Sequence, residues 1–311
     1  MTFALIATGG TIACTTVRDG SLVPTVSGQQ LAASLGTDGG THDIEVVEFR
    51  ALDSSSITLA DLDELLLCVR EQLSRPDIDG VLITHGTDSM EETALALSLF
   101  DLGDGPIVLT GAQRAFDHPA GDGPRNLREA YGLLRSGRPG VWVQFGGKTI
   151  PGRGARKWHT SQLNGFEELP VGDSAAPLLP LAPMAGHPVE IIAAYPGASA
   201  ELVDASLKHA SGLVIEAMGS GNMGAEMGAG VTRALQAGVP VVISTRTPYG
   251  NTKLAYGGAG GGATLGEMGA VAAGGFRAGQ ARIMLAAALA TGTPVAEMFS
   301  KAPTSTAYTA G

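Results

Sequence analysis

Short runs of β-forming residues alternate with amphipathic stretches along most of the chain. Phe3–Ala7, Glu45–Phe49, Val81–Thr84, Pro106–Leu109 and Val141–Phe145 each predict a strand. Between them, Leu59–Leu73 has helical spacing, and Asp122-Gly123-Pro124 opens a helix running to about Arg135. Ser89 stands three residues before Glu92 at the head of an apolar run to Phe100, the spacing of a capping box. Val17–Leu31 is polar and turn-rich without periodicity, which predicts an exposed loop. Gly146–Arg156 has the Gly and Pro content of a hairpin or loop.

The rhythm resumes further on. Val189–Tyr195, Gly212–Ala217 and Val239–Ser244 predict strands, and Ala200–His209, Gly224–Ala237 and Ala278–Ala290 predict helices. Tyr256–Gly262 is too rich in glycine for a regular element. This alternation indicates an α/β fold: two α/β domains with mainly parallel sheets. The Ala-, Pro- and Gly-rich Ser174–Pro188 is the expected boundary, giving domains 1–180 and 189–311.

Composition narrows the function. A chain of 311 residues with 16% charged side chains is globular rather than disordered, and long enough for two cores. Its net charge of −10 opposes nucleic acid or an anionic membrane as partner. Cys14 and Cys68, the two cysteines, fit neither a metal-ligand spacing nor a disulfide framework. The first residues carry no basic flank and no apolar run of spanning length, so a cytoplasmic protein is expected.

Ligands in parallel α/β sheets sit beyond the carboxyl ends of the strands. Four turns there carry hydroxyls or a carboxylate, at Thr11, Ser54–Ser55, Thr87–Asp88 and Thr110, and these could line one pocket. The glycine turn Thr8–Ala13 lacks the spacing of a dinucleotide or phosphate loop. No H-E-x-x-H pair or G-x-S-x-G elbow occurs, which leaves hydroxyl chemistry with a threonine nucleophile, or a binding protein using the same hydroxyls. A threonine needs a base or cation beside it to attack. No metal and no cofactor are expected.

Three motifs together carry a family resemblance: TGGTIA at Thr8–Ala13, HGTDSMEETA at His85–Ala94, and LTGAQR at Leu109–Arg114 with DGPRNL at Asp122–Leu127. They resemble the bacterial-type L-asparaginases, over Phe3 to about Phe299. The resemblance implies a larger N-terminal α/β domain and a smaller flavodoxin-like C-terminal one. It also implies a homodimer or homotetramer with shared active sites. The implied reaction is hydrolysis of L-asparagine, and in some members L-glutamine, to the acid and ammonia without metal or organic cofactor.

By position, Thr11 matches the threonine usually taken as nucleophile. Thr87, Asp88 and Lys157 match a Thr–Lys–Asp triad, with Asp88 also holding the substrate ammonium. Ser54 matches the serine that binds the substrate carboxylate, and Ser55 falls where several members have glutamine. Gly10 and Gly86 match backbone positions near the substrate, Ala112 a carbonyl contact, and Asn222 a residue given by a partner subunit. On residue type alone either threonine could attack first. Exported members pair a lid tyrosine with a glutamate. Here the lid position falls near Ser21, with no tyrosine between Met1 and Leu52, and the acidic position falls near Tyr256. Ser21 and Tyr256 are therefore further candidates. A glutaminase-asparaginase, an amidotransferase amidase subunit and an amino-acid sensor are the rival readings.

Overall fold

The computed structural model describes residues 1–35, 44–170 and 178–300 and divides into two units, Met1–Glu168 and Leu169–Gly311. The expected boundary Ser174–Pro188 falls partly outside the described residues. In the first unit β1 (Phe3–Gly9) is followed by β2 (Cys14–Thr16), β3 (Leu22–Pro24), α1 (Gly28–Ala33) and β4 (Ile44–Leu52). Next come α2 (Leu59–Leu73), β5 (Gly80–Thr84), α3 (Met90–Leu99), β6 (Ile107–Thr110) and α4 (Gly123–Arg135). The unit closes with β7 (Val141–Phe145), β8 (Lys148–Pro151), β9 (Ala155–Lys157) and β10 (Phe166–Glu168).

Six strands form the main sheet in the order β4-β1-β5-β6-β7-β8, parallel except for the β7–β8 pair. Gly146 and Gly147 both have positive φ, which closes β7–β8 as a two-residue hairpin with the twist of the sheet. β5 is buried along its whole length, as its unbroken Val-Leu-Ile run requires. Phe3, Leu5, Leu82 and Val108 share one core with Leu31 of α1 and Leu127, Ala130 and Leu134 of α4. Emptying one such site, as in Leu82→Ala, costs about 2–5 kcal/mol. Thr58 caps α2 reciprocally with Asp61, whose carboxylate accepts the Thr58 N–H at 2.9 Å.

The strand order matters for the site. β1 lies between β4, which follows it in the chain, and β5, which comes later still, so the connections leave in opposite directions at β1–β5. Such a switch point opens a crevice at the carboxyl ends of the two strands.

The second unit holds β11 (Val189–Ala193), α5 (Glu201–Ser206), β12 (Gly212–Ala217), α6 (Ala225–Gln236) and β13 (Val241–Thr245). It ends with α7 (Gly262–Glu267), β14 (Val271–Ala272), α8 (Ala278–Thr291) and α9 (Val295–Ser300). Its four parallel strands run β11-β12-β13-β14. Ile192, Leu213, Ile215 and Ile243 pack with Val203, Met227, Val231 and Leu265 from the helices. Among the described residues no helix is long and apolar enough to cross a membrane.

Three local expectations are corrected. Val17–Leu31 is not a featureless loop: β3 pairs antiparallel with β2, and Ser27 caps α1 with Gln30. Gly262, the end of the glycine run, begins α7. Ser89 makes no capping hydrogen bond to α3, because its hydroxyl donates instead to the Ser54 carbonyl, 2.6 Å away.

Candidate active site

The crevice at the switch point is a cleft of about 330 Å3. Three of the four anticipated turns line it: Gly10 and Thr11 after β1, Asp53 and Ser54 after β4, and Gly86, Thr87 and Asp88 after β5. Thr110 does not join them. It is fully buried, and its hydroxyl donates to the Gln144 carbonyl at 2.8 Å, tying β6 to β7. Cys14, Leu22 and Pro24 from the β2–β3 hairpin form the opposite rim. Burial, and after it Asp53, pushes the Cys14 thiol up, which keeps it a thiol rather than a nucleophilic thiolate.

The turns meet through backbone. Gly10 has φ of 81°, and a Cβ there would stand 2.4 Å from Cα and N of Gly86. A Cβ on Gly86 would in turn meet the Ser54 Oγ at 2.4 Å. Both positions therefore need glycine, Gly10 for its conformation as well as its space. Ser54 is buried; its Oγ accepts the Asp88 N–H at 3.2 Å while its carbonyl takes the Ser89 hydroxyl. The Thr8 hydroxyl donates to the Thr84 carbonyl at 2.9 Å and closes the seam below.

His85 supports the β5 turn from beneath. It is fully buried, with Nδ1 2.7 Å from the Gly86 carbonyl and Nε2 3.0 Å from the Thr93 hydroxyl. A carbonyl can only accept, so Nδ1 carries the proton and Nε2 accepts from Thr93. Burial lowers its pKa to about 4, although the Gly86 carbonyl favours the charged form. The ring is thus neutral at pH 7 and serves as a strut.

Lys157 closes the site. Its Nζ donates to Thr87 Oγ1 at 2.8 Å and to Asp88 Oδ1 at 2.6 Å. Thr87 is 6% exposed, whereas the Asp88 side chain is 60% exposed and open toward the cleft. A hydroxyl held by a half-buried ammonium next to a carboxylate is an arrangement that can move a proton.

The remaining candidates lie elsewhere. Ser55 is exposed, and its N–H donates to the Asp53 carboxylate that caps the short helical turn there. Ala112 is buried in the β6–α4 connection, which Asp122 pins by accepting the N–H groups of Gln113 and Arg114, both at 3.0 Å. Ser21 sits at the hairpin tip, where its N–H and hydroxyl both donate to Asp19. In the second unit, Asn222 Oδ1 accepts the Gly262 N–H at 3.4 Å and Tyr256 is 62% exposed. Sequence reasoning missed the rim residues Leu22 and Pro24. Asp19-Gly20 before Leu22-Val23 was the available hairpin signal. Among the described residues no group of three or more His, Cys, Asp or Glu is arranged to hold a metal.

Two family models match the chain in succession. The family model described as asparaginase, N-terminal, matches residues 2–177, and that of the glutaminase/asparaginase C-terminal domain matches 188–299. The chain is 37% identical over 306 residues to a probable L-asparaginase of Deinococcus radiodurans, covering 91% of each. It is 31% identical to an L-asparaginase of Bacillus licheniformis, over 93% of this chain and 95% of that one. The thermostable L-asparaginase from Thermococcus kodakarensis superposes with a TM-score of 0.82 at 28% identity, covering 97% of this chain and 96% of its own. With matches spanning both units and a cleft built from the quoted motifs, the chain belongs to the asparaginase family.

Proposed function

We propose that the protein is an amidohydrolase that converts L-asparagine and water to L-aspartate and ammonia. One observation carries the reading: Lys157 Nζ bridges Thr87 and Asp88 in the cleft that Thr11 also lines. The relatives named L-asparaginase support the same substrate.

In this reading Thr11 Oγ bonds the side-chain carbonyl carbon, the carbon–nitrogen bond breaks, and the hydroxyl proton leaves with the nitrogen as ammonia. Water then cleaves the ester, returning a proton to Thr11 and leaving aspartate. Thr87, Lys157 and Asp88 manage the protons of these steps. Asp88, exposed to the cleft, accepts the substrate ammonium, and Ser54 receives the α-carboxylate. Backbone N–H groups of the glycine-rich turns that contain Gly10 and Gly86 face the developing oxyanion, the Gly10 N–H itself being taken by the Leu52 carbonyl at 3.3 Å. Ser55 and the Ala112 carbonyl are taken from the family pattern as further substrate contacts beyond the residues that line the cleft, and Asn222 completes the site from a second copy in a homodimer or homotetramer. Ser21 takes the lid position and Tyr256 offers a phenol; Tyr256→Phe is expected to lower turnover, and unchanged kinetics would remove it from the site. The same reading takes residues 1–180 and 189–311 as the two domains and the cytoplasm as location.

The deciding experiment is ammonia release from L-asparagine beside L-glutamine. Release from asparagine in preference supports the proposal; equal release makes the enzyme a glutaminase-asparaginase. Binding without release from either makes the protein a sensor and ends the catalytic reading.

A further inference from the structure

Lys157 is gripped at both ends by one short segment. Thr87 and Asp88 hold its ammonium, and three residues later the Glu91 carboxyl accepts its backbone N–H at 2.6 Å, across 66 positions of chain. Glu91 lies in the first turn of α3, directly after the catalytic turn. The strand that carries Lys157 packs against α3 from outside the main sheet. β9 is three residues long and belongs to a two-stranded ladder with β10, outside the six-stranded sheet. Trp158 N–H enters the ladder side by donating to the Gly165 carbonyl at 2.9 Å, while the Lys157 N–H faces α3. A half-buried strand cannot leave that donor unpaired without cost.

Resting on the catalytic reading of Lys157, we infer that Glu91 is a positioning residue, whose carboxyl anchors the Lys157 backbone so that the ammonium reaches Thr87 and Asp88. The environment suits an acceptor more than a charge. Burial, followed by the neighbouring Glu92, pushes Glu91 up to about 8, against the opposing effects of the Lys157 N–H, Arg156 and Lys157. Protonated or not, the carboxyl keeps an sp² oxygen for the N–H. A glutamine keeps that oxygen too, with nearly the same shape.

The test compares Glu91→Ala, Glu91→Asp and Glu91→Gln by steady-state kinetics and by hydrogen exchange at the Lys157 amide. Glu91→Ala is expected to expose that amide to exchange and to lower kcat by between about 10- and 100-fold, the usual effect of an ångström-scale misplacement. Its KM should change less than kcat, since Asp88 and Ser54 still meet the substrate. Glu91→Asp, one methylene short, should lose part of both, and serves if the alanine variant does not fold. Glu91→Gln should restore kcat to within about threefold of the parent and keep the amide protected, the mark of an acceptor role in which charge is not required. A folded alanine or aspartate variant with parental kcat and a protected Lys157 amide overturns the inference. So does a glutamine variant as slow as alanine with the amide still protected, which would assign Glu91 an electrostatic role. Should the parent release no ammonia, the catalytic reading falls by itself. The exchange data then still decide whether Glu91 anchors Lys157.

Discussion

The two sides of the cleft are built differently. On the floor, the β5 turn rests on fully buried His85, and Gly10, Gly86 and Ser54 approach so closely that no room remains for a Cβ on either glycine. The rim is a two-strand ribbon of three residues a side, with Leu22 47% and Val23 37% exposed. It is held by a Thr15–Thr25 hydroxyl pair and by Asp117 accepting the Thr16 N–H. A floor of this kind fixes reacting groups before substrate arrives, which is where electrostatic preorganisation is strongest. An exposed ribbon has few contacts to lose and can adjust to its ligand. On the proposed mechanism, chemistry belongs to the floor and access to the rim.

The largest effect should follow removal of the hydroxyls themselves. Thr11→Ala and Thr87→Ala are each expected to lower kcat/KM by about 10³-fold or more while the far-ultraviolet spectrum and melting temperature stay near the parent's. A fully active variant at either position would withdraw that residue's role. Next comes Gly10→Ala, which must place a Cβ 2.4 Å from Gly86 at positive φ. A loss of about 3 kcal/mol or more in urea unfolding is expected, and a loss under 1 kcal/mol would mean the floor yields more than its packing suggests.

His85 supplies a third test through pH. Its folded pKa is about 4 against 6.5 for the free group, so below pH 6.5 the unfolded chain binds a proton that the folded one refuses. Its contribution is whole above pH 6.5 and lost as pH falls toward 4, amounting to roughly 3 kcal/mol over that window. Unfolding free energy measured from pH 7 to 4 should fall more steeply in the parent than in His85→Gln; parallel curves would contradict a neutral buried ring. The smallest effect belongs to the rim. Leu22→Ala should alter stability by no more than about 0.5 kcal/mol and should act on KM more than kcat. A kcat collapse there would erase the distinction between floor and rim.

Some of this was legible in the residues and some was not. The main parallel strands and the long helices followed from period, as the unbroken Val-Leu-Ile of β5 and the helical spacing of Leu59–Leu73 illustrate. The hairpin and α1 within Val17–Leu31 were missed because their segments are too short for periodicity to register. Ser89 looked like a cap by spacing, yet its hydroxyl found a carbonyl 35 positions away. Local pattern ranks only local partners, and a nearby turn in space outcompeted the helix end.

By itself the sequence determined the alternating elements, the turns that carry hydroxyls, and the motifs that identify the family. Those properties depend on neighbours within a few positions, where residue type dictates backbone preference and polarity. Tertiary structure alone decided which turns meet. The strand order put β1 beside β5, bringing Thr11 and Thr87 to one cleft and leaving Thr110 inside the sheet. It also carried Lys157 across about seventy positions to the β5 turn and set Glu91 behind it. Such pairings are fixed by packing and loop closure across the whole unit, which no local window contains.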